Sequence, residues 1–151
     1  MKKIISLLLA GLLCANLTAP ALAAEDTADT AAPGQTAITF TDMPSSPEFV
    51  ESITWAVENG ITTGTTATTF SPDATCTRGQ SVTFLHRALK GSASGSTNFT
   101  DVASDAFYAD AVNWAVANNV TNGTSATTFS PNSDCTRAEI VTFLYRAYQG
   151  K

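Results

Sequence analysis

Two arginines, Arg78 and Arg137, lie where they could bind an anion. Each follows a threonine that suits a helix N-cap, so each is predicted at a first helical position. A guanidinium there faces the positive end of the helix dipole, which costs roughly a few tenths of a kcal/mol unless an anion compensates. The anion can be a ligand held by the arginine and the free helix amides. From this physics alone a nearby carboxylate is favoured: that of Asp42, Asp73 or Asp101.

Capping boxes predict where the two arginine-bearing helices begin. Thr136 can accept a hydrogen bond from the amide of Glu139, whose carboxylate can reach back to the amide of Thr136. Thr77 and Gln80 repeat this arrangement. Each box should stabilise its helix by about 1 kcal/mol, so we expect the helices to begin directly after Thr77 and Thr136.

The sequence contains no set of side chains typical of a catalytic centre. No serine lies in a nucleophile elbow, and no glycine-rich loop with a lysine precedes a predicted helix. Asp42 and Asp101 occupy equivalent positions of the repeat, and duplicated acids more often cap turns than act in catalysis. His86 and the two cysteines of the mature chain, Cys76 and Cys135, are too few for a zinc site. We therefore predict a protein that is not an enzyme and that uses no metal or cofactor.

An internal repeat determines how these residues are arranged. A shift of 59 residues aligns residues 40–91 with 99–150 without a gap, and 27 of the 52 paired positions are identical. A repeat of this length is typical of a supersecondary unit that buries its apolar face against its neighbours. The sequence therefore predicts two copies of one unit, joined by a Gly/Ser linker over residues 92–98.

Each copy is predicted to be a helix-loop-helix unit. Apolar residues at helical spacing predict first helices over residues 47–59 and 106–118, and Gly60 suits a left-handed cap at the end of the first. The threonine-rich loop over residues 64–72 is predicted to be extended, with Phe70 directed into the core. The predicted fold class is therefore all-α, with long extended loops.

The N-terminal segment has the pattern of a secretory signal peptide over residues 1–23. Two lysines precede an apolar run from Ile4 to Leu17 that is too short to span a bilayer, and small residues precede a cleavage site after Ala23. The residues that follow are acidic and carry almost no large apolar side chain. We therefore predict a flexible acidic stalk over residues 24–39.

Charge restricts the partners of the exported chain. Without Lys2 and Lys3, six basic side chains face thirteen acidic ones, which gives a formal charge of −7. Such a field repels nucleic acids and anionic membrane surfaces, because both are bound mainly through clustered Lys and Arg. We therefore predict no nucleic-acid partner and no membrane insertion after cleavage. Any anionic ligand must be held by a few local groups.

The repeated motifs together resemble the S-layer homology (SLH) repeat. Their order is Phe-x-Asp, a helix bearing Trp-Ala, Gly with Thr-Phe-x-Pro, and Thr-Arg-Ala-Glu at the start of a second helix. Residues 136–139 match that tetrapeptide completely, and residues 77–80 match it in part. The resemblance covers nearly all of residues 40–150.

The resemblance implies an incomplete form of the family's fold. In this family three repeats usually form a pseudo-threefold spindle, with the second helices bundled at its centre. Two repeats leave that spindle incomplete, so a third prong would have to come from another chain, for example in a homo-oligomer. A monomer with the linker folded over the open face is the alternative. The apolar residues of that central face are Val82, Leu85, Val141 and Leu144.

The resemblance also implies a role at the bacterial cell wall or cell surface. SLH repeats attach non-covalently to anionic secondary cell-wall polysaccharide, often bearing a pyruvyl ketal whose carboxylate meets the Arg of the tetrapeptide. Gly79 and Gln80 depart from the motif, which makes the second repeat the better candidate. Carried over by position, the implied ligand-binding residues are Arg137, Arg78, Thr136, Thr77, Gly123, Gly64, Trp114, Trp55 and Glu139. The alternative is a structural protein that pairs with other envelope SLH modules, or self-associates, without binding glycan.

Cys76 and Cys135 occupy equivalent positions just before the two arginine-bearing helices. In an exported protein such a pair invites a disulfide. If the starts of these helices gather near the axis of the spindle, the sulfur atoms come within bonding reach. If the starts are splayed, the cysteines are small buried hydrophobic residues. Sequence does not fix the Cα separation that a disulfide demands, so both alternatives stay open.

Overall fold

The computed structural model describes residues 40–92 and 95–149. This part of the chain contains four α-helices and no strands, which confirms the predicted all-α class. The helices are α1 (Pro47–Glu58), α2 (Arg78–Ala88), α3 (Ala109–Ala117) and α4 (Arg137–Gln149). None of the four is long and apolar enough to cross a membrane. The predicted signal peptide and stalk lie outside the described residues.

The second helix of each copy begins where its capping box predicts. α2 follows Thr77, whose hydroxyl accepts from the Gln80 amide at 3.3 Å while the Gln80 side chain accepts from the Thr77 amide at 2.9 Å. α4 follows Thr136, and Glu139 completes the same two hydrogen bonds at 2.8 and 3.2 Å. Both boxes are therefore confirmed.

The first helices differ between the copies. α1 begins at Pro47 as predicted, and Gly60 follows its end with φ of +67°. α3 begins only at Ala109, not at residue 106 as predicted. The second copy has Ala106 in place of a proline, so nothing presets the backbone there, and the Ala109 amide instead closes a turn onto the Ala106 carbonyl at 2.9 Å.

The main core lies where α2 packs against α3. Val82 of α2, Val112 of α3 and Phe129 of the second loop are fully buried there. Phe70, the counterpart of Phe129, is only half-buried and meets the ring of Phe40 at a centroid distance of 5.7 Å. The predicted core position of Phe70 therefore holds only in part, whereas Phe129 is fully buried because Arg78 of α2 packs over its ring. The pseudo-threefold spindle stays a prediction.

The duplicated acids hold the loops in place. The Asp42 carboxylate accepts hydrogen bonds from the amides of Phe70 and Ser71 at 2.8 and 2.7 Å. Asp101 does the same for the equivalent amides of the second copy, at 2.9 and 2.7 Å. Ser71 has a φ of +61°, which is uncommon for a residue other than glycine. The Asp42 side chain stabilises this conformation by binding the amides of Ser71 and of the residue before it. These bonds confirm the structural reading of Asp42 and Asp101.

Candidate functional site

Arg78 is buried between the two copies, with only 4% of the residue exposed. Its Nη1 donates to Glu139 Oε1 at 2.6 Å, and its Nε donates to the main-chain oxygen of Phe129 at 3.1 Å. The guanidinium carbon lies 5.1 Å from the ring centroid of Phe129 and 5.4 Å from that of Phe143. A buried cation needs such partners because it has lost its water. The compensating acid is thus Glu139; the acids named from sequence were wrong: Asp42, Asp73 and Asp101.

The start of α2 is occupied by the second loop. The Arg78 amide donates to the Ser133 carbonyl and the Gly79 amide donates to the Pro131 carbonyl, both at 2.9 Å. A Cβ on Gly79 would lie 2.9 Å from Cδ1 of Tyr108, so the departure from the motif at this position allows close packing. The first amides of α2, which the sequence suggested could bind an anionic ligand, therefore donate to carbonyl groups of the protein itself.

A groove on the second copy collects charged groups. This second-repeat groove has a volume of about 290 Å³ and is lined by Arg78, Thr121, Asn122, Gly123, Glu139, Thr142, Phe143 and Arg146. The Arg146 Nη1 donates to the Val120 carbonyl at 3.3 Å, which fixes the guanidinium at the edge of the groove. Two guanidinium groups thus face one carboxylate here, and the groove carries a net positive charge.

The Glu139 carboxylate is held in its charged form. The Thr136 amide and hydroxyl both donate to Oε2 at 2.8 Å, and together with the Arg78 guanidinium they lower the pKa of Glu139 below its ordinary value. One carboxylate therefore caps α4 through one oxygen and binds Arg78 through the other.

An equivalent groove lies on the first copy. This first-repeat groove has a volume of about 370 Å³, and its lining includes Gly64, Phe70, Gln80, Phe84 and Arg87. The Arg87 Nη1 donates to the Ile61 carbonyl at 3.2 Å, as Arg146 does to Val120. Among its lining residues in the described part of the chain, Arg87 is the one charged group.

The grooves gather only some of the residues expected from sequence. Arg78, Gly123 and Glu139 line the second-repeat groove, and Gly64 lines the first. Five line neither groove: Arg137, Thr136, Thr77, Trp114 and Trp55. Trp114 is a core residue that is 7% exposed, whereas Trp55 is 57% exposed. Their ligand-binding role therefore stays a prediction.

Sequence reasoning missed Arg87 and Arg146. A signal was available, because the two arginines occupy equivalent positions of the repeat and each is followed by an alanine. Both lie in the last turn of a helix, where a cation suits the helix dipole without any ligand. In the structure each contributes a guanidinium to its groove.

Gly64 and Gly123 let the loops close on the protein itself. Their φ angles are +81° and +83°. A Cβ on Gly64 would lie 2.6 Å from both Cε1 of Phe40 and the Thr69 carbonyl oxygen. In the structure, these glycines therefore allow close contact with their own loop and with the first phenylalanine of the repeat, Phe40 or Phe99.

Cys76 and Cys135 are directly opposite each other. Thr77 and Asp134 form an antiparallel bridge, and next to it the Cys135 amide donates to the Cys76 carbonyl at 2.9 Å. Both thiols are free, and burial, assisted by the neighbouring Cys135, raises the pKa of the Cys76 thiol. The disulfide stays a prediction. Within residues 40–92 and 95–149, no three His, Cys, Asp or Glu side chains cluster as metal ligands.

Comparison with known proteins connects both copies to one family. Residues 39–80 and 98–141 match the model of the S-layer homology domain. The chain is 36% identical over 99 residues to the "Surface-layer 125 kDa protein" of Lysinibacillus sphaericus, an alignment that covers 66% of this chain and 8% of that protein. It is 31% identical over 153 aligned positions to the "Middle cell wall protein" of Brevibacillus brevis, covering 97% of this chain and 14% of that protein. The "Surface layer protein" of Brevibacillus choshinensis is 32% identical over 153 positions, covering 97% and 12%.

These relatives are much longer proteins. The chain spans 8%, 14% and 12% of their respective lengths. The two family matches coincide with the two copies found in the sequence, and each ends inside the helix that carries Arg78 or Arg137.

Proposed function

Since the chain belongs to the S-layer homology domain family, we propose that it is an exported module that attaches non-covalently to an anionic secondary polysaccharide of the bacterial cell wall. Its relatives are named as surface-layer and cell wall proteins. The N-terminal signal pattern provides the route to that location. The proposed role is binding, without catalysis.

One observation carries the proposal: an acidic chain presents three of its four arginine side chains in grooves. The mature chain has a formal charge of −7, yet Arg87 lines the first-repeat groove and Arg78 and Arg146 line the second. Arginine offers paired donors that match the two oxygens of a carboxylate. Two of these three arginines lie in the second-repeat groove, so the local excess of cations favours an anionic ligand group there.

The second-repeat groove is the stronger candidate. Arg78 is fixed by Glu139 and by the Phe129 carbonyl, so its guanidinium loses little conformational freedom when a ligand binds. Arg146 supplies the second cation, and the groove also offers the polar side chains of Asn122 and Thr142 for sugar hydroxyls. A pyruvyl ketal supplies a carboxylate of the required kind, and we propose it as the recognised group.

Co-sedimentation with purified cell-wall sacculi tests this function. The chain without its signal peptide, residues 24–151, should pellet with intact sacculi and not with sacculi stripped of their secondary polysaccharide. Removal of the ketal by mild acid should reduce binding as stripping does. Failure of a folded sample to pellet with intact sacculi, or equal pelleting with stripped sacculi, would contradict the proposal.

A pair of variants locates the site. Arg146→Ala removes one cation of the second-repeat groove, and because Arg146 is exposed the fold should tolerate the change. We expect wall binding to weaken about tenfold, the usual cost of one charged hydrogen bond. Lys90→Gly is the charge-matched control, because Lys90 is exposed, lies outside both grooves and has a φ of +50° that glycine accepts. Equal binding by both variants would exclude the second-repeat groove as the site.

A further inference from the structure

The first-repeat groove contains the counterparts of the residues that hold Arg78 in the second copy, but among the described residues that line it there is no counterpart of Arg78. In the second copy, Arg78 uses the Phe129 carbonyl, the rings of Phe129 and Phe143, and the Glu139 carboxylate. The corresponding residues of the first copy all line the first-repeat groove: Phe70, Phe84 and Gln80. Within residues 40–92 and 95–149, the one arginine that lines this groove is Arg87, which corresponds to Arg146 and not to Arg78.

Arg137 is the counterpart of Arg78 and is left without such a site. Its side chain is exposed, and it has no hydrogen-bond or ion-pair partner among the residues that the structure describes. The chain therefore presents an arginine at the start of α4 and an unfilled arginine site on its first copy. Both are present in every molecule.

The helices next to Arg137 and next to the first-repeat groove are also exposed where their counterparts are buried. α2 packs on α3, and Val82 and Trp114 are buried there. The equivalent residues of the other two helices are exposed: Val141 of α4 is 63% exposed and Trp55 of α1 is 57% exposed. α4 and α1 therefore expose the two halves of an interface that α2 and α3 bury within the chain.

We propose that α4 of one molecule packs on α1 of a second copy of this chain, with Arg137 entering the second copy's first-repeat groove. The contact repeats between molecules the packing that α2 makes on α3 within one molecule. It is heterologous, since one molecule contributes α4 and the other contributes α1. The two helices carry opposite net charges, because α1 has three glutamates and no basic residue, whereas α4 has Arg137 and Arg146 against the single acid Glu139.

Two substitutions between the copies make the contact between molecules weaker than the internal one. Ala138 replaces Gly79, and its Cβ would meet Phe49, the counterpart of Tyr108. Phe49 is exposed, so its ring can move aside. Gln80 replaces Glu139, and its Oε1 already accepts from the Thr77 amide, so Arg137 gains a carbonyl and two rings but no ion pair. It also meets the like charge of Arg87, which lines the same groove. We therefore expect a concentration-dependent association and not a permanent dimer.

This contact does not depend on glycan binding. It uses the first-repeat groove, whereas the polysaccharide is proposed to bind mainly in the second-repeat groove. Loss of wall binding would therefore leave this inference intact, and loss of self-association would leave the wall-binding proposal intact.

Sedimentation velocity over a concentration series tests the inference with residues 24–151. The wild-type chain should form larger species as its concentration rises, and Arg137→Ala and Val141→Glu should remain monomeric. Gln80→Glu supplies the missing carboxylate and should tighten association about tenfold, a gain that Arg137→Ala should abolish. Lys90→Gly is the control and should associate like wild type. Circular dichroism establishes that each variant keeps its helices.

A mixing experiment tests the head-to-tail arrangement. Val141→Glu damages the α4 face and leaves α1 intact, whereas Trp55→Glu damages α1 and leaves α4 intact. Each variant alone should be monomeric, and the mixture should form a dimer of one of each with wild-type affinity. Monomers at every concentration in both wild type and Gln80→Glu would overturn the proposal. So would association that is unchanged in Arg137→Ala and Val141→Glu, or a mixture that stays monomeric.

Discussion

Arg78 and Glu139 belong to different copies of the repeat and form an ion pair of 2.6 Å that joins them. The pair lies beside the capping box of α4, since the same Glu139 carboxylate accepts from the Thr136 amide. A helix cap, an inter-repeat contact and a groove wall therefore share one side chain. Of these three roles, the ion pair is the one that needs a carboxylate, because Gln80 caps α2 and lines the first-repeat groove without a charge.

Replacement of Arg78 should cost far more stability than replacement of Arg137. Arg78→Ala removes the ion pair, the bond to the Phe129 carbonyl and the contacts with two rings, and we expect the free energy of unfolding to fall by about 2–3 kcal/mol. Arg137→Ala, at an exposed site, should change it by less than about 0.5 kcal/mol. Urea denaturation of dilute samples measures both, and equal losses would contradict the structural difference between the two arginines.

Stability should fall at acidic pH because of two carboxylates. Hydrogen bonds, chiefly from the Phe70 amide to Asp42 and from the Thr136 amide to Glu139, lower the pKa of each group in the folded state. Their stabilisation is therefore complete above the ordinary values of 3.8 and 4.5 and is lost as the pH falls through the folded pKa values. Urea denaturation between about pH 7 and pH 3 should show this decline.

A variant attributes part of that pH dependence to Glu139. Glu139→Gln keeps the capping box, as Gln80 does in the first copy, but has no charge to lose. Its stability should decline less steeply below about pH 4.5 than that of wild type. Glu58→Gln, at an exposed position of α1, is the charge-matched control. An identical slope for Glu139→Gln and wild type would mean that the carboxylate contributes nothing.

A disulfide between Cys76 and Cys135 should form under oxidising conditions. Directly opposed residues of an antiparallel pair have Cα atoms about 5.5 Å apart, within the range that a disulfide accepts. Closing a loop of this length should stabilise the fold by about 4 kcal/mol in the chain-entropy description. Because the Cys76 thiol has a raised pKa, oxidation should accelerate with rising pH.

Thiol alkylation and thermal unfolding measure this bond. After incubation in a glutathione redox buffer, residues 24–151 should take up no alkylating reagent until a reductant is added, and reduction should lower the unfolding temperature. Cys135→Ser should show no such difference between the two conditions. Full alkylation of both cysteines before reduction would reject the bond.

Local signals in the sequence were sufficient to predict where α2 and α4 begin. A capping box involves residues three positions apart, so Thr77 and Thr136 could be identified without knowledge of the fold. The partner of Arg78 could not be identified in this way, because Glu139 comes within reach only after the two copies pack. No local rule selects it over the other acids of the chain.

Identical residues of a repeat also acquire different environments from their neighbours. Trp55 and Trp114 are both followed by Ala-Val, yet Trp114 is buried where α2 packs on α3 and Trp55 is exposed. Burial in a repeat protein depends on which unit lies next to a residue, and this information is absent from the unit's own sequence. The groove cations Arg87 and Arg146 illustrate the reverse case, since comparison of the copies would have revealed them.

Gly64→Ala should destabilise the first copy much more than Gly60→Ala. Both glycines have positive φ, so alanine at either position pays a conformational cost of about 1–2 kcal/mol. At Gly60 the added methyl group meets nothing within 4 Å, but at Gly64 it would lie 2.6 Å from Phe40 and from the Thr69 carbonyl oxygen. That oxygen accepts the Thr65 and Thr66 amides, so the loop must open to admit the methyl group.

Urea denaturation of the two alanine variants separates these contributions. Gly60→Ala should report the backbone cost alone, and Gly64→Ala should lose at least about 2 kcal/mol more because of the steric conflict. Gly64→Ala should also reshape the first-repeat groove, which Gly64 lines, and so weaken self-association at concentrations where the variant is still folded. Equal stability of the two variants would mean that Phe40 and the loop yield without cost, and that the glycine is required at residue 64 for its backbone angle alone.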